Sequence, residues 1–398
     1  MDKLYDREQL RVQKKALFTG SLAHFLHDGF TDMLYILFPI WQAQFSLTFA
    51  EIGFLKTLFS GTMAGFQVPS SNLAYRIGEI RLLLLGTLLT SVSVWLFGWS
   101  ATPILLSVLL VVGGLGSSVQ HPLSSSLISN AYTDTNARRI ALSTFNVAGD
   151  MGKLILPAAA AFLISQYSWP VASRVLGIVG VGIVIVIFLN SNNFQQAQIK
   201  TKSKHVKLTI SSLIGKEYKA FWSLSMLGVI DSATRMGFLT FFPFLLQEKG
   251  AEVSTIGIAL SLVFAGGAAG KFVCGMLATK FGILRSVITT EIITALCIWG
   301  MISLSINNAI LLSPILGVAL NGTSSVLYGS VPELVSEERR KQAFAIFYTA
   351  TIGAGALSPL FYGMTSDIVG VKNTVIMVAL VVLLTIPLTI PLKGKLNH

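Results

Sequence analysis

The sequence predicts an all-α membrane protein with twelve transmembrane helices in two pseudo-symmetric six-helix bundles. Three observations lead there. Mean hydropathy is +0.71, with 53% hydrophobic and only 12% charged residues, values that water-soluble domains do not approach. Apolar stretches of roughly 20 residues, the length needed to cross about 30 Å of hydrocarbon, recur along the whole chain. The halves also repeat one another. A shift of 204 positions carries Pro39, Gly53, Gly78 and Arg81 onto Pro243, Gly257, Gly282 and Arg285, and a shift of 202 carries Phe145 and Pro157 onto Phe347 and Pro359. Duplication of a six-helix unit about an axis along the membrane normal accounts for this.

Taken in order, the first span (16–44) contains HFLHDGFTD, with His24, His27, Asp28, Thr31, Asp32 and Tyr35 in one sector of about 140° at helical spacing. The second (51–75) offers Lys56, Ser60 and Gln67. The third (82–99) is apolar. The fourth (103–130) aligns Ser117, His121, Ser124 and Ser125 on one face, and the fifth (140–166) aligns Asn146, Asp150, Lys153 and Pro157. An apolar sixth span (170–190) closes the N-terminal bundle, residues 1–190. The polar, basic stretch 191–218 reads as a cytoplasmic linker. The C-terminal bundle, 219–398, follows with spans at 219–247, 254–279, 286–305, 309–333, 342–367 and 373–392. Asp231 and Arg235 lie on the seventh span and Lys271 on the eighth; at the 204 offset they correspond to His27, Thr31 and Gln67, as expected around a shared central cavity. Spans three, six, nine and twelve carry only Arg174 and Glu291, both expected near span ends, and so read as the outer, lipid-facing helices. Glu51, Glu248, Glu252, Glu333 and Asp367, with Arg174, are expected to be solvated at the interfaces.

The net charge of +11 is a matter of topology. Twenty-two lysines and arginines fall in the N-terminal tail, the C-terminal tail and alternate loops, whereas Lys249 and Lys372 alone occupy the opposite loops. This bias places both termini in the cytoplasm and excludes the soluble basic domain that a nucleic-acid binder needs. The first span is too long and too rich in ionisable groups for a cleavable signal peptide. Cys274 and Cys297 lie within spans, so neither a disulfide framework nor a metal-binding CxxC pair is expected.

Two loops, SNLAYRIGEIR (71–81) and GMLATKFGILR (275–285), resemble the signature loop of the major facilitator superfamily, with Ser71 in place of the first glycine and Tyr75 and Thr279 in place of an acid. In them Arg76, Gly78, Arg81, Lys280, Gly282 and Arg285 are candidate gating residues: the glycines permit a tight turn and the basic residues clamp helix ends. Within that superfamily HFLHD, GLGSSVQHP (114–122) and STFNVAGDMG (143–152) resemble the fosmidomycin-resistance family of drug exporters. The resemblance implies the major facilitator fold and proton-driven efflux from the bacterial cytoplasmic (inner) membrane.

A lone charge at mid-membrane costs roughly 2.5–3.5 kcal/mol on insertion scales, so the ionisable stripe must face water or other polar groups. No GxxxxGK[ST] loop is present, which excludes ATP as the energy source, and HExxH and GxSxG are absent, which argues against an enzyme. The resulting expectation is proton-coupled secondary transport of a small drug-like or anionic metabolite outward, with proton-coupled uptake of an organic anion such as a carboxylate siderophore as the alternative. Asp28, Asp32, His24 and His27 are assigned to the proton. Tyr35, Lys56, Gln67, His121, Asn146, Asp150, Lys153, Asp231, Arg235 and Lys271 are assigned to substrate. Asp150 with Lys153, and Asp231 with Arg235, could equally be intrahelical ion pairs. Protons and the bilayer are the expected partners, with no cofactor, no metal and a monomeric carrier.

Overall fold

The computed structural model describes residues 2–191, 215 and 218–396. Almost all of the expected linker lies outside the described residues, including Lys200, Lys202, Lys204, Lys207 and Lys216, as do the side chains of Lys3 and Lys341. The described chain is helical nearly throughout: α1 (Asp2–Phe45), α2 (Phe49–Ile77), α3 (Glu79–Phe97), α4 (Pro103–Ser117), α5 (Gln120–Ala131), α6 (Thr135–Gln166), α7 (Trp169–Ser191), α8 (Lys219–Glu248), α9 (Val253–Phe281), α10 (Ile283–Ser303), α11 (Ile306–Ser330), α12 (Arg340–Val369), α13 (Val371–Leu383) and α14 (Thr385–Leu388).

Ten segments among the described residues are long and apolar enough to cross a bilayer, and they coincide with the third to twelfth expected spans. The first two, α1 and α2, have ample length at 44 and 29 residues, but their polar stripes lower their hydropathy. The fourth span differs from expectation in being broken into α4 and α5 just before His121. Pro122 has no N–H to offer the carbonyl of Ser118, so the helical ladder opens there.

Gly78 (φ 97°) and Gly282 (φ 87°) start α3 and α10 at repeat-related positions, in a backbone region that side chains disfavour. They permit the short turns after α2 and α9. Thr48 and Glu51 form a capping box at the start of α2: Thr48 N donates to Glu51 Oε2 at 2.8 Å and Glu51 N to Thr48 Oγ1 at 3.2 Å. Asp367 is more than a solvated surface acid. Its Oδ1 and Oδ2 accept from Phe49 N (2.7 Å) and Ala50 N (2.9 Å), placing a negative charge at the positive end of α2.

The chain divides into two compact units. One comprises Met1–Ile40 and Leu58–Lys202; the other comprises Trp41–Thr57 and Ser203–His398. Inside lipid the hydrophobic effect between helices is weak, so small residues that allow close packing carry much of the cohesion. In the first unit Gly177 packs on Trp95 and Gly180 on Ser91, joining α7 to α3. In the second, any side chain at Gly266, Gly270 or Gly317 would collide with the carbonyls of Pro314, Val318 or Val263, which seals α9 against α11. The remaining faces are apolar and exposed: Leu85, Leu88 and Leu89 on α3, Ile178 and Ile185 on α7, Leu296 and Trp299 on α10, and Leu380 and Leu384 at the end of α13. Such faces match a hydrocarbon surround.

Candidate functional site

Asp28 of α1 is the centre of a polar cluster in the first unit. Its carboxylate is surrounded by four nitrogens: His24 Nε2 at 3.2 Å and Lys153 Nζ at 3.3 Å from Oδ2, and His121 Nε2 at 3.6 Å and His27 Nε2 at 3.8 Å from Oδ1. His24 sits one turn before Asp28 on α1, whereas Lys153 comes from α6 and His121 from α5. The His121 ring stands edge-on to both His24 and His27, with centroids 4.7 Å apart in each case.

The orientation of His24 fixes its chemistry. Its Nδ1 lies 2.9 Å from the carbonyl oxygen of Phe145, and a carbonyl only accepts, so Nδ1 carries hydrogen. The ring also stacks on Phe145, with centroids 4.0 Å apart and planes 21° apart. Nε2 lies 3.2 Å from Asp28 Oδ2 but outside hydrogen-bond geometry, so a protonated ring would meet the carboxylate as a close ion pair.

Two glycines on α6 make room for this arrangement. A Cβ at Gly149 would lie 2.6 Å from His24 Nε2 and 2.7 Å from Asp28 Oδ2, and one at Gly152 would collide with the carbonyl of Phe25. Helices α1 and α6 can therefore approach closely enough for Lys153 to reach Asp28. His24, His27 and Asp28 are buried, while the side chains of His121 and Lys153 are 39% and 32% exposed. The buried carboxylate is thus reached from outside through one imidazole and one ammonium.

The other sequence candidates are more dispersed. Asp32 and Tyr35 are buried further along α1, Gln67 and Asp150 are half-buried, and Asn146 is exposed. In the second unit, Lys56 is fully buried, Asp231 is buried, Arg235 is half-buried one turn beyond it on α8, and Lys271 is exposed on α9. Arg76, Arg81, Lys280 and Arg285 are all exposed around the turns at Gly78 and Gly282.

The ammonium next to Asp28 belongs to Lys153 of a different helix, a residue that the sequence reading assigned to substrate. Phe145 was legible only as a repeat position, and its role as carbonyl acceptor and stacking platform had no local signal. Glu291 corrects a second expectation. It lies well inside α10 rather than near a span end, is only 2% exposed, and has a buried Oε1 without a hydrogen-bond partner.

His24, Asp28 and His121 offer ligand atoms within 4.8 Å of one another, a donor set that zinc accepts. The Lys153 ammonium at 3.3 Å already supplies a positive charge to the same carboxylate, so the cluster fits a proton better than a divalent ion.

The family model described as Major Facilitator Superfamily matches residues 20–230 and 224–396. The chain is 26% identical over 372 residues to the fosmidomycin resistance protein of Escherichia coli (strain K12), covering 87% of this chain and 85% of that one. It is 22% identical over 373 residues to a probable 4-methylmuconolactone transporter of Cupriavidus pinatubonensis, covering 91% and 86%. Its fold is similar to that of a bacterial homologue of the human lysosomal transporter Spinster in an inward-facing and occupied conformation, with a TM-score of 0.75, 18% identity and coverage of 94% and 95%.

Proposed function

The chain belongs to the Major Facilitator Superfamily and is a multi-pass membrane transporter of small molecules, not an enzyme; from that premise we propose that it is a proton-coupled exporter of a small drug-like solute. The observation that carries this reading is the His24–Asp28–Lys153 constellation, with the His24 tautomer fixed by Phe145. The proton resides on His24 Nε2 and is held by Asp28, with His27 and Asp32 completing the buried acid–base group. His121, the partly exposed imidazole, passes protons between the cluster and water.

Coupling follows from charge. Asp28 and Lys153 cancel, and a proton on His24 adds one positive charge beside them. A solute that offers its own cationic or hydrogen-donating group to Asp28 competes with that proton, so each displaces the other, as exchange requires. Alternating access then carries the solute out and the proton in. The residues proposed to act on the solute are Tyr35, Gln67, Asn146 and Asp150 in the first unit and Lys56, Asp231, Arg235 and Lys271 in the second. The turns at Gly78 and Gly282, with Arg76, Arg81, Lys280 and Arg285, gate the inner end. The protein works as a monomer in a bacterial inner membrane with both termini cytoplasmic, as the bias of basic residues supports. Its likeness to a fosmidomycin resistance protein supports export.

The same charge count favours a second reading for an anionic solute. An anion binds best when His24 is protonated, so proton and anion travel together, which yields uptake. Likeness to a probable 4-methylmuconolactone transporter agrees with that alternative. Purified protein in liposomes separates the cases: a lumenal pH dye should respond when solute moves, and Asp28→Asn should abolish the response. Uphill transport by Asp28→Asn with unchanged pH dependence overturns the proton assignment. In whole cells, collapse of the proton gradient raises internal label for an exporter and lowers it for an importer.

A further inference from the structure

The stretch GLGSSVQHP (114–122) contains a residue that the transport reading does not use. Gln120 is the first residue of α5 and directly precedes His121. Successive helical side chains diverge by about 100°, so His121 turns to Asp28 of α1 while Gln120 turns to α3. Gln120 Nε2 donates to Thr87 Oγ1 at 2.6 Å, and Thr87 Oγ1 donates to Leu83 O at 2.7 Å. With its one hydrogen on Leu83 O, the Thr87 hydroxyl can only accept from Gln120, which fixes the nitrogen end of the amide toward α3. Both side chains are 2% exposed, and Gln120 Oε1 is buried without a partner. A leucine would fill the same space without stranding an oxygen, so packing alone does not explain an amide here.

Its place in the chain does. Pro122 cannot continue the helical ladder from Ser118, so the backbone hydrogen bonds of α4 do not carry its direction into α5. The first turn of α5 must be set from outside. Glycines bring α3 within reach: a Cβ at Gly86 would lie 2.3 Å from Val119 Cγ2, and one at Gly116 would lie 2.5 Å from Gly86 O. Ser126 Oγ, six residues beyond Gln120, donates to Glu79 Oε1 at 2.7 Å and ties the later part of α5 to the same helix. Thr90 differs, because it donates to Gly113 O at 3.2 Å, on α4 before the break. We propose that Gln120 is a positioning residue: anchored on Thr87, it holds the first turn of α5 so that His121 Nε2 stays 3.6 Å from Asp28 Oδ1. Its consequence for transport rests on the place of His121 in the proton path; the anchor itself does not.

Solid-state NMR of the protein in liposomes tests it, with histidine ring 15N and aspartate 13Cγ labels. Dipolar dephasing between the two labels reads the contact, and the part that vanishes in both His121→Gln and Asp28→Asn belongs to His121 and Asp28. Thr87→Val removes the hydroxyl at nearly constant volume and should abolish that part, as should Gln120→Leu. Thr87→Ser keeps the hydroxyl and should retain it. Thr90→Val loses a bond of the same kind before the break and should also leave it intact. Survival of the contact in both Thr87→Val and Gln120→Leu overturns the proposal. Equal loss in Thr90→Val overturns it too, since α3 and α4 would then simply have loosened. The contact is read without solute, so the anchor stands or falls separately from the proton assignment.

Discussion

Replacing Lys153 by methionine removes the ammonium 3.3 Å from Asp28 Oδ2 and leaves a buried carboxylate among three imidazoles. Two unit charges at that separation attract by about 5 kcal/mol at an effective dielectric constant of about 20. Lys153 is 32% exposed, so water screens part of this attraction, and a coupling of about 1–3 kcal/mol is expected. The assay is a double-mutant cycle on unfolding free energy, measured by SDS titration of purified protein in mixed micelles. Asp28→Asn should cost about 3 kcal/mol and Lys153→Met about 2 kcal/mol, because each strands the charge of the other. The double variant should cost less than their sum by about 1–3 kcal/mol. Additivity within about 0.5 kcal/mol would refute the pairing, and with it the charge count on which the coupling argument rests.

Gly149→Ala should force its methyl against His24 and Asp28 and destabilise the protein by about 1–3 kcal/mol, read by thermal unfolding, with proton-linked transport lost as well. Wild-type stability and transport in that variant would contradict the close approach of α1 and α6. His24→Gln retains a donor toward Phe145 O but has no titratable ring, so counterflow exchange in liposomes should persist while its dependence on pH flattens. A pH profile identical to the wild type would move the proton elsewhere. Gly282→Ala places a side chain at φ 87° and should lower stability by about 1–2 kcal/mol, as should Gly78→Ala at φ 97°; a neutral effect at both positions would show that the turns relax.

Much of the fold is readable from local composition. Hydrocarbon demands about 20 apolar residues per crossing, and ten segments of the structure satisfy that demand where the sequence places them. The exceptions are informative. Helices α1 and α2 fall short in hydropathy because α1 holds His24, His27, Asp28 and Asp32, which a 3.6-residue period gathers into one stripe, and α2 holds Lys56 and Gln67. The break between α4 and α5 was implicit in Pro122, whose missing N–H has a local consequence. Asp367 was not legible as a cap, since its partners Phe49 and Ala50 lie more than 300 residues away.

By itself, the sequence determined the spans, the repeat and the polar face of α1, because hydropathy and helical period depend only on neighbouring residues. The tertiary structure decided which charges meet. Lys153 has its ammonium 3.3 Å from Asp28 of α1, across a helix contact that the glycines of α6 allow. Phe145, 121 residues away, fixes Nδ1 of His24 as a hydrogen-bond donor and leaves Nε2 facing Asp28. Glu291, expected near a span end, is buried inside α10. In each case the energy depends on distances of a few ångströms between helices remote in sequence, and those distances are set by packing that no single segment encodes.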